Sequence, residues 1–212
     1  RVLDGEGYQS DSGVHGRREY QGDYTFMMLA GSTPIMNRVF KLMGNLGSRL
    51  FFINMNSPEK STQQLAGQLK TTSYKEKERL CRDTTEAFVR TLWSQYPGGV
   101  IWPKENEDDN LLELIAHFGK VLAKLRGAIN VSQEWTPEGK KDQHTMPVIE
   151  QPDRITQLLY NLCRGHALAS GQFNISWEDM RFVAEVALDS APIARVKLLK
   201  ALLKNNGEMK TG

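Results

Sequence analysis

The sequence predicts a mainly α-helical fold with a small β part at its amino-terminal end, and three observations predict it. Short apolar runs closed by turn residues are confined to positions 1–56. Beyond them apolar residues recur at helical spacing, most plainly Leu111, Ile115, Phe118, Leu122, Leu125 and Ile129, which share one face of a helix. Helix-start signals follow at Ser57-Pro58-Glu59, Ser73-Tyr74-Lys75-Glu76 and Ser176-Trp177-Glu178-Asp179.

The elements follow in order. Residues 1–23 carry Gly5, Gly7, Gly13, Gly16 and Gly22, spaced for extended pieces joined by tight turns. Tyr24-Thr25-Phe26-Met27-Met28-Leu29-Ala30 is an apolar run closed by Gly31-Ser32-Thr33-Pro34, the pattern of a buried strand. Leu50-Phe51-Phe52-Ile53 reads as a second such strand. Helices are expected from Ser57, from Ser73 to about Tyr96, and across the 111–129 stripe, with a loop between Pro97 and Asp109. Residues 130–148 are polar and contain Pro137, Gly139 and Lys140-Lys141, which suits a linker or mobile loop. Further helices begin at Pro152 and Ser176, and Pro192 opens a last one with Val196, Leu199 and Leu203 facing inward.

Composition bounds the function classes. The chain has 212 residues, 40% hydrophobic and 25% charged, enough for one large or two small domains with a real core. Its 27 basic and 25 acidic residues leave a net charge of +2, so no overwhelming field announces a nucleic-acid partner. The two cysteines, Cys81 and Cys163, argue against a disulfide scaffold and for a cytoplasmic protein. No apolar run approaches the roughly 20 residues that cross a bilayer, so no membrane partner is expected. The chain starts at Arg1 and ends in a turn-like Asn205–Gly212, which suits a piece of a longer protein.

Three short motifs carry chemistry. In YTFMMLAGSTP, residues 24–34, Ser32 and Thr33 follow a buried strand, and a rigid strand exit is a good place for a polar group that orients water. Either could do so; Thr33 is preferred. In GNLGSRLFFINM, Arg49 immediately precedes an apolar run, and its planar charged fork can bind two phosphate oxygens at once. Arg38 is a second candidate, although Val39-Phe40-Lys41-Leu42 after it suits a helix. In Glu150-Gln151-Pro152-Asp153-Arg154-Ile155, an arginine sits in a first helical turn, where the helix dipole does not favour it.

In this order the motifs resemble AAA+ motor ATPases, in particular the clade with a hairpin before sensor 1 that includes minichromosome-maintenance-like helicases. The resemblance implies that Ser32 or Thr33 is sensor 1, that Arg49 is an arginine finger reaching a neighbouring subunit's site, and that Arg154 is sensor 2, contacting the nucleotide. It implies four regions: 1–56, the end of an α/β P-loop core with its hairpin; 57–148, a helical connection and loop; 149–191, a helical lid; 192–212, the start of a winged helix. Arg17 and Arg18, beside His15, would be the DNA-gripping residues of the hairpin. ATP and Mg would be cofactors of the full-length protein, and its partners copies of itself in a ring, with DNA as substrate.

The chain departs from the family pattern as well. It contains no G-x-x-x-x-G-K-[ST] and no apolar run ending in paired acids, so it is expected neither to bind a cofactor nor to hydrolyse ATP alone. Each motif also has a plainer reading. Gly-Ser-Thr-Pro is a common turn, and a strand-flanking arginine is usually a surface residue. Cys163 and His166 are spaced to share a helix face, yet no second pair has ligand spacing, so packing is preferred over a metal. Trp102, Trp135 and Trp177 are expected to anchor core or loops rather than stack on bases. The rival functions are a protein-remodelling AAA+ chaperone and a non-enzymatic DNA-binding regulator or adaptor.

Overall fold

A computed structural model describes residues 8–13, 16–20, 29–31, 50–55, 58–70, 73–137 and 139–208. Among them the chain is mainly helical with small antiparallel β parts. The expected extended pieces near the amino end are a hairpin of β1, Tyr8–Ser12, and β2, Gly16–Tyr20, in a register that sets Tyr8 opposite Tyr20 and Asp11 opposite Arg17. Gly16 has φ +68°, a left-handed conformation that glycine adopts without steric cost.

The two apolar runs differ from expectation where they are described. Leu29 and Ala30 are exposed and belong to no strand; the rest of the Tyr24–Ala30 run lies outside the described residues. Leu50–Ile53 is not a strand either. Side chains rather than a neighbouring strand accept from two backbone N–H groups here: Phe52 N donates to Ser190 Oγ (2.8 Å) and Asn54 N, just beyond the run, to Asp189 Oδ2 (2.8 Å). Ile53 is exposed, whereas Leu50, Phe51 and Phe52 are half-buried.

Helix α1, Thr62–Leu69, starts later than Ser57. Ser61 is its N-cap: Ser61 Oγ accepts from Gln64 N (3.2 Å) and Gln64 Oε1 accepts from Ser61 N (2.9 Å), a capping box one turn beyond the expected start. Helix α2, Tyr74–Gln95, begins where expected, but Ser73 makes no side-chain cap, because its backbone (φ −79°, ψ 6°) lacks the extended form that aims a cap hydroxyl. Neither helix buries a residue; α2 is laced by Glu78–Arg82 and Glu86–Arg90 pairs one turn apart.

The core lies between α3, Asp109–Arg126, α4, Asp153–Ala169, and α5, Trp177–Asp189. Leu111, Ile115 and Leu122 of α3 meet Ile155, Leu159, Cys163 and Ala167 of α4, a stripe recurring once per turn, and Met180, Val183 and Ala187 of α5. Trp102, from the loop before α3, closes this core. Helices α3 and α4 approach closely at Gly119: a Cβ there would collide with Thr156 Oγ1 and stand 3.3 Å from the Thr156 Cα. The expected α3 stripe is shorter than drawn, because the helix stops at Arg126 and Ile129, beyond it, is exposed. Helix α6, Ile193–Lys204, contributes Val196 to the core, but Leu203 is exposed rather than inward. Arg195 fastens α6 to the end of α3, where its Nη1 donates to Leu125 O and Gly127 O, both at 2.6 Å.

Residues 130–148 are not a featureless loop. They contain β3, Val131–Thr136, paired antiparallel with β4, Gly139–His144, so that Trp135 faces Lys140 across the ladder. The arm is closed at its neck by two 2.9 Å hydrogen bonds between Ala128 and Val148. Of the residues that suggested a linker, Pro137 lies in the turn of this hairpin and Gly139 opens β4 with φ +120°. No helix among the described residues is long and apolar enough to cross a membrane.

Candidate functional site

The first candidate feature is the amino end of α4. Pro152 stands at the N-cap, with φ −75°, so Asp153 and Arg154 occupy the first turn. Asp153 suits the positive end of the helix dipole and Arg154 does not. Arg154 is exposed, while Ile155 beside it is fully buried and anchors the turn. Next to this turn a shallow groove of about 540 Å³ runs between α3 and α4, with Lys120, Asp153, Thr156, Gln157 and Tyr160 supplying its polar lining. Lys120 and the helix N-terminus suit an anion in this groove and Asp153 opposes one, while Arg154 is not among its lining residues. Among the described residues no cluster of His, Cys, Asp and Glu fits a metal ion, so magnesium is assigned no residue.

The second feature is the carboxy end of α3. Arg126 is buried on the helix's apolar stripe, one turn after Leu122. Its Nε donates to Ser190 O (2.7 Å) and its Nη2 to Leu50 O (3.0 Å), and the guanidinium lies 5.8 Å from the Phe51 ring centroid. Burial pulls its pKa down to about 10, partly offset by the negative charge of Glu150, so it stays charged at neutral pH. With the bonds from Phe52 and Asn54 to the end of α5, Arg126 docks residues 50–54 onto the helical unit that carries Arg154. Arg49 is one peptide bond upstream of that dock.

Arg49, Ser32 and Thr33 themselves lie outside the described residues, as do His15 and Arg38. Arg17 is exposed on β2, opposite Asp11, and Arg18 pairs with Ser10 in the backbone register. Sequence reasoning passed over Arg126, Ser190 and Asp189. A signal for Arg126 was present: Leu111, Ile115, Leu122 and Arg126 fall on one helical face, and a cation on an apolar stripe asks for a buried acceptor. Nothing local marks Ser190 or Asp189, whose side chains bind Phe52 and Asn54 more than 130 residues away.

A third cluster is built for structure. His166 donates from Nδ1 to Asp179 Oδ1 (2.6 Å) and stacks on Phe182, while Asp179 Oδ2 accepts from Ser176 N (2.8 Å) and Ser176 Oγ (2.7 Å). Burial alone would raise the Asp179 pKa; the bonds from His166 and Ser176 outweigh it and hold the carboxyl below the usual range. Cys163, fully buried, is pushed up to about 12 by desolvation and by the nearby Asp179 and Glu107 charges, so its thiol stays protonated and a poor metal ligand. His166 thus commits its Nδ1 to the capping carboxylate of Asp179.

The tryptophans divide. Trp102 is buried, bonds through Nε1 to Glu107 and lies under the Arg164 guanidinium. Trp177 is exposed at the head of α5. Trp135 is also exposed, with Lys140 Nζ 4.9 Å from its ring centroid, so it anchors neither core nor loop as expected. No protein-family model, no curated protein and no solved structure matches this chain.

Proposed function

We propose that the chain is the sensing and arginine-finger part of an ATP-driven, ring-forming DNA motor, a helicase or replication-associated ATPase of the AAA+ kind its motifs resemble. One observation carries the reading furthest: the residue that follows Arg49 is hydrogen-bonded onto the same helical unit that presents Arg154. The hairpin ahead of the Tyr24–Ala30 run, with Arg17 exposed on it, is a second support.

The chemistry follows from residue type. When bound, ATP with its magnesium supplies the phosphoryl group and leaving group. Arg154, at the head of a helix beside a groove, is suited to contact phosphate oxygens of its own subunit's nucleotide and carry their presence into the helical unit. Arg49 is suited to place positive charge against a neighbouring subunit's nucleotide as charge builds on the transferred phosphoryl group. Thr33, or Ser32, is suited to orient water by its hydroxyl. Arg17 and Arg18 would hold DNA phosphates without reading sequence.

The test uses the intact ATPase that contains this chain. Replacing Arg49 by Ala should lower ATP turnover by about 10³-fold or more. Mixing that variant with one defective in the phosphate-binding loop should restore part of the turnover, because each supplies what the other lacks. Wild-type turnover by Arg49→Ala would sink the reading. DNA should stimulate turnover, and Arg17→Ala with Arg18→Ala should abolish the stimulation; stimulation by unfolded protein instead of DNA would favour a remodelling chaperone.

A further inference from the structure

We infer that Arg126, Ser190 and Asp189 form a positioning clamp that makes the Leu50–Asn54 segment move as one body with the helix carrying Arg154. The clamp consists of Arg126 Nη2 to Leu50 O (3.0 Å), Ser190 Oγ accepting from Phe52 N (2.8 Å), and Asp189 Oδ2 accepting from Asn54 N (2.8 Å). Arg126 also grips Ser190 through its carbonyl, so the parts brace one another. The inference rests on reading Arg49 as a finger, since the clamp's consequence for turnover passes through the residue before Leu50.

The connection to Arg154 is one helix long. Gly119 of α3 allows Thr156, two residues after Arg154, to lie directly against the α3 backbone. Arg126 is seven residues further along α3. That is about 10 Å of continuous helix, too short and too well packed to bend appreciably. A displacement of the first turn of α4 therefore reaches Leu50 through α3 with no loop in between.

Stability alone does not explain the arginine. Burying a guanidinium costs desolvation that an apolar residue at this point of the stripe would avoid. Moreover, Arg126 Nη1 has no hydrogen-bond partner among the described residues. What the arginine adds is a directed grip on one backbone carbonyl of a segment that belongs to no strand and no helix. On the finger reading the clamp residues act through Arg49, and they are positioning residues.

The test has two arms. In the 212-residue chain, amide hydrogen exchange at Phe52 and Asn54 should be slow, and Ser190→Ala and Asp189→Ala should each speed it about tenfold or more at their own partner, with thermal unfolding nearly unchanged. Unchanged exchange in both variants would overturn the clamp whatever the ATPase does. In the intact ATPase, the same substitutions should lower kcat by about 10²-fold, because a finger misplaced by an ångström loses most of its effect. KM for ATP should stay at the wild-type value, whereas Arg154→Ala should raise it. Arg126→Lys should recover part of the turnover lost in Arg126→Gln, since a lysine can still reach one carbonyl. If Arg49→Ala abolishes turnover while Ser190→Ala and Asp189→Ala leave it intact, the positioning role is wrong and the finger stands. If Arg49→Ala turns over normally, the finger reading falls and the positioning role falls with it, while the exchange result still judges the clamp.

Discussion

Asp179 shows how one buried carboxylate joins two helices. It is the capping acid of α5 and the acceptor for His166 near the end of α4, and these three bonds favour its ionised form. Its pKa is held below the ordinary range, so in the folded chain it stays ionised at pH values where the unfolded chain has begun to bind a proton. The unfolded state then carries more protons, and stability falls as pH drops from the usual carboxylate range through the lower folded value. Urea titrations across acidic pH should show this loss in the wild-type chain and a flatter profile in Asp179→Asn; equal profiles would mean the carboxyl contributes nothing to acid stability. The Ser176–Asp179 box was legible in sequence, because a cap and its acid are three residues apart. The His166 bond was not, because that histidine is brought in by the packing of α4 on α5.

At the scale of elements, sequence spacing located the helices well and their ends less so. The α3 stripe of Leu111, Ile115 and Leu122 gave the core face directly, since the helical period puts such residues in register. It could not show that the chain turns at Gly127, which leaves Ile129 outside, or that Arg126 at the helix end is a buried grip. Leu50–Ile53 looked like a strand because composition reports burial, not hydrogen-bond partners, and here the partners are side chains from α5 and its cap. Gly119 is the most tightly approached of the described glycines. Gly119→Ala gains helix propensity but forces α3 away from Thr156, and overpacking of that kind costs about 1–3 kcal/mol. Chemical denaturation should show a net loss; a gain in stability would mean that the helices part without cost.

At the scale of the whole molecule, burial among the described residues is concentrated in α3–α6. Helices α1 and α2 bury no residue, and none of the described β3 and β4 residues is buried. Joining Ala128 to Val148 through a short glycine linker in place of the β3–β4 arm should therefore leave the melting temperature within a few degrees, because the described residues of its two strands contribute no buried side chain to the core. Collapse of the cooperative transition would show that the arm is needed for folding. The candidate site follows the same division. Arg154 drew notice because a cation in a first helical turn is locally odd, and the structure places it exposed in that turn. The clamp on Leu50–Asn54 was not, because it joins residues from opposite ends of the chain and no local pattern encodes such a meeting.

The contrast between the two thiols turns the chain into its own unfolding reporter. Cys81 is open to reagent on α2, while Cys163 is sealed in the core with its proton held to about pH 12. A thiol-reactive dye should modify one equivalent at once and the second only as fast as the helical unit opens. The lag between the two would time the opening of the core in native buffer, with no denaturant and no engineered probe; two thiols reacting together would mean that the core breathes far more freely than its packing implies.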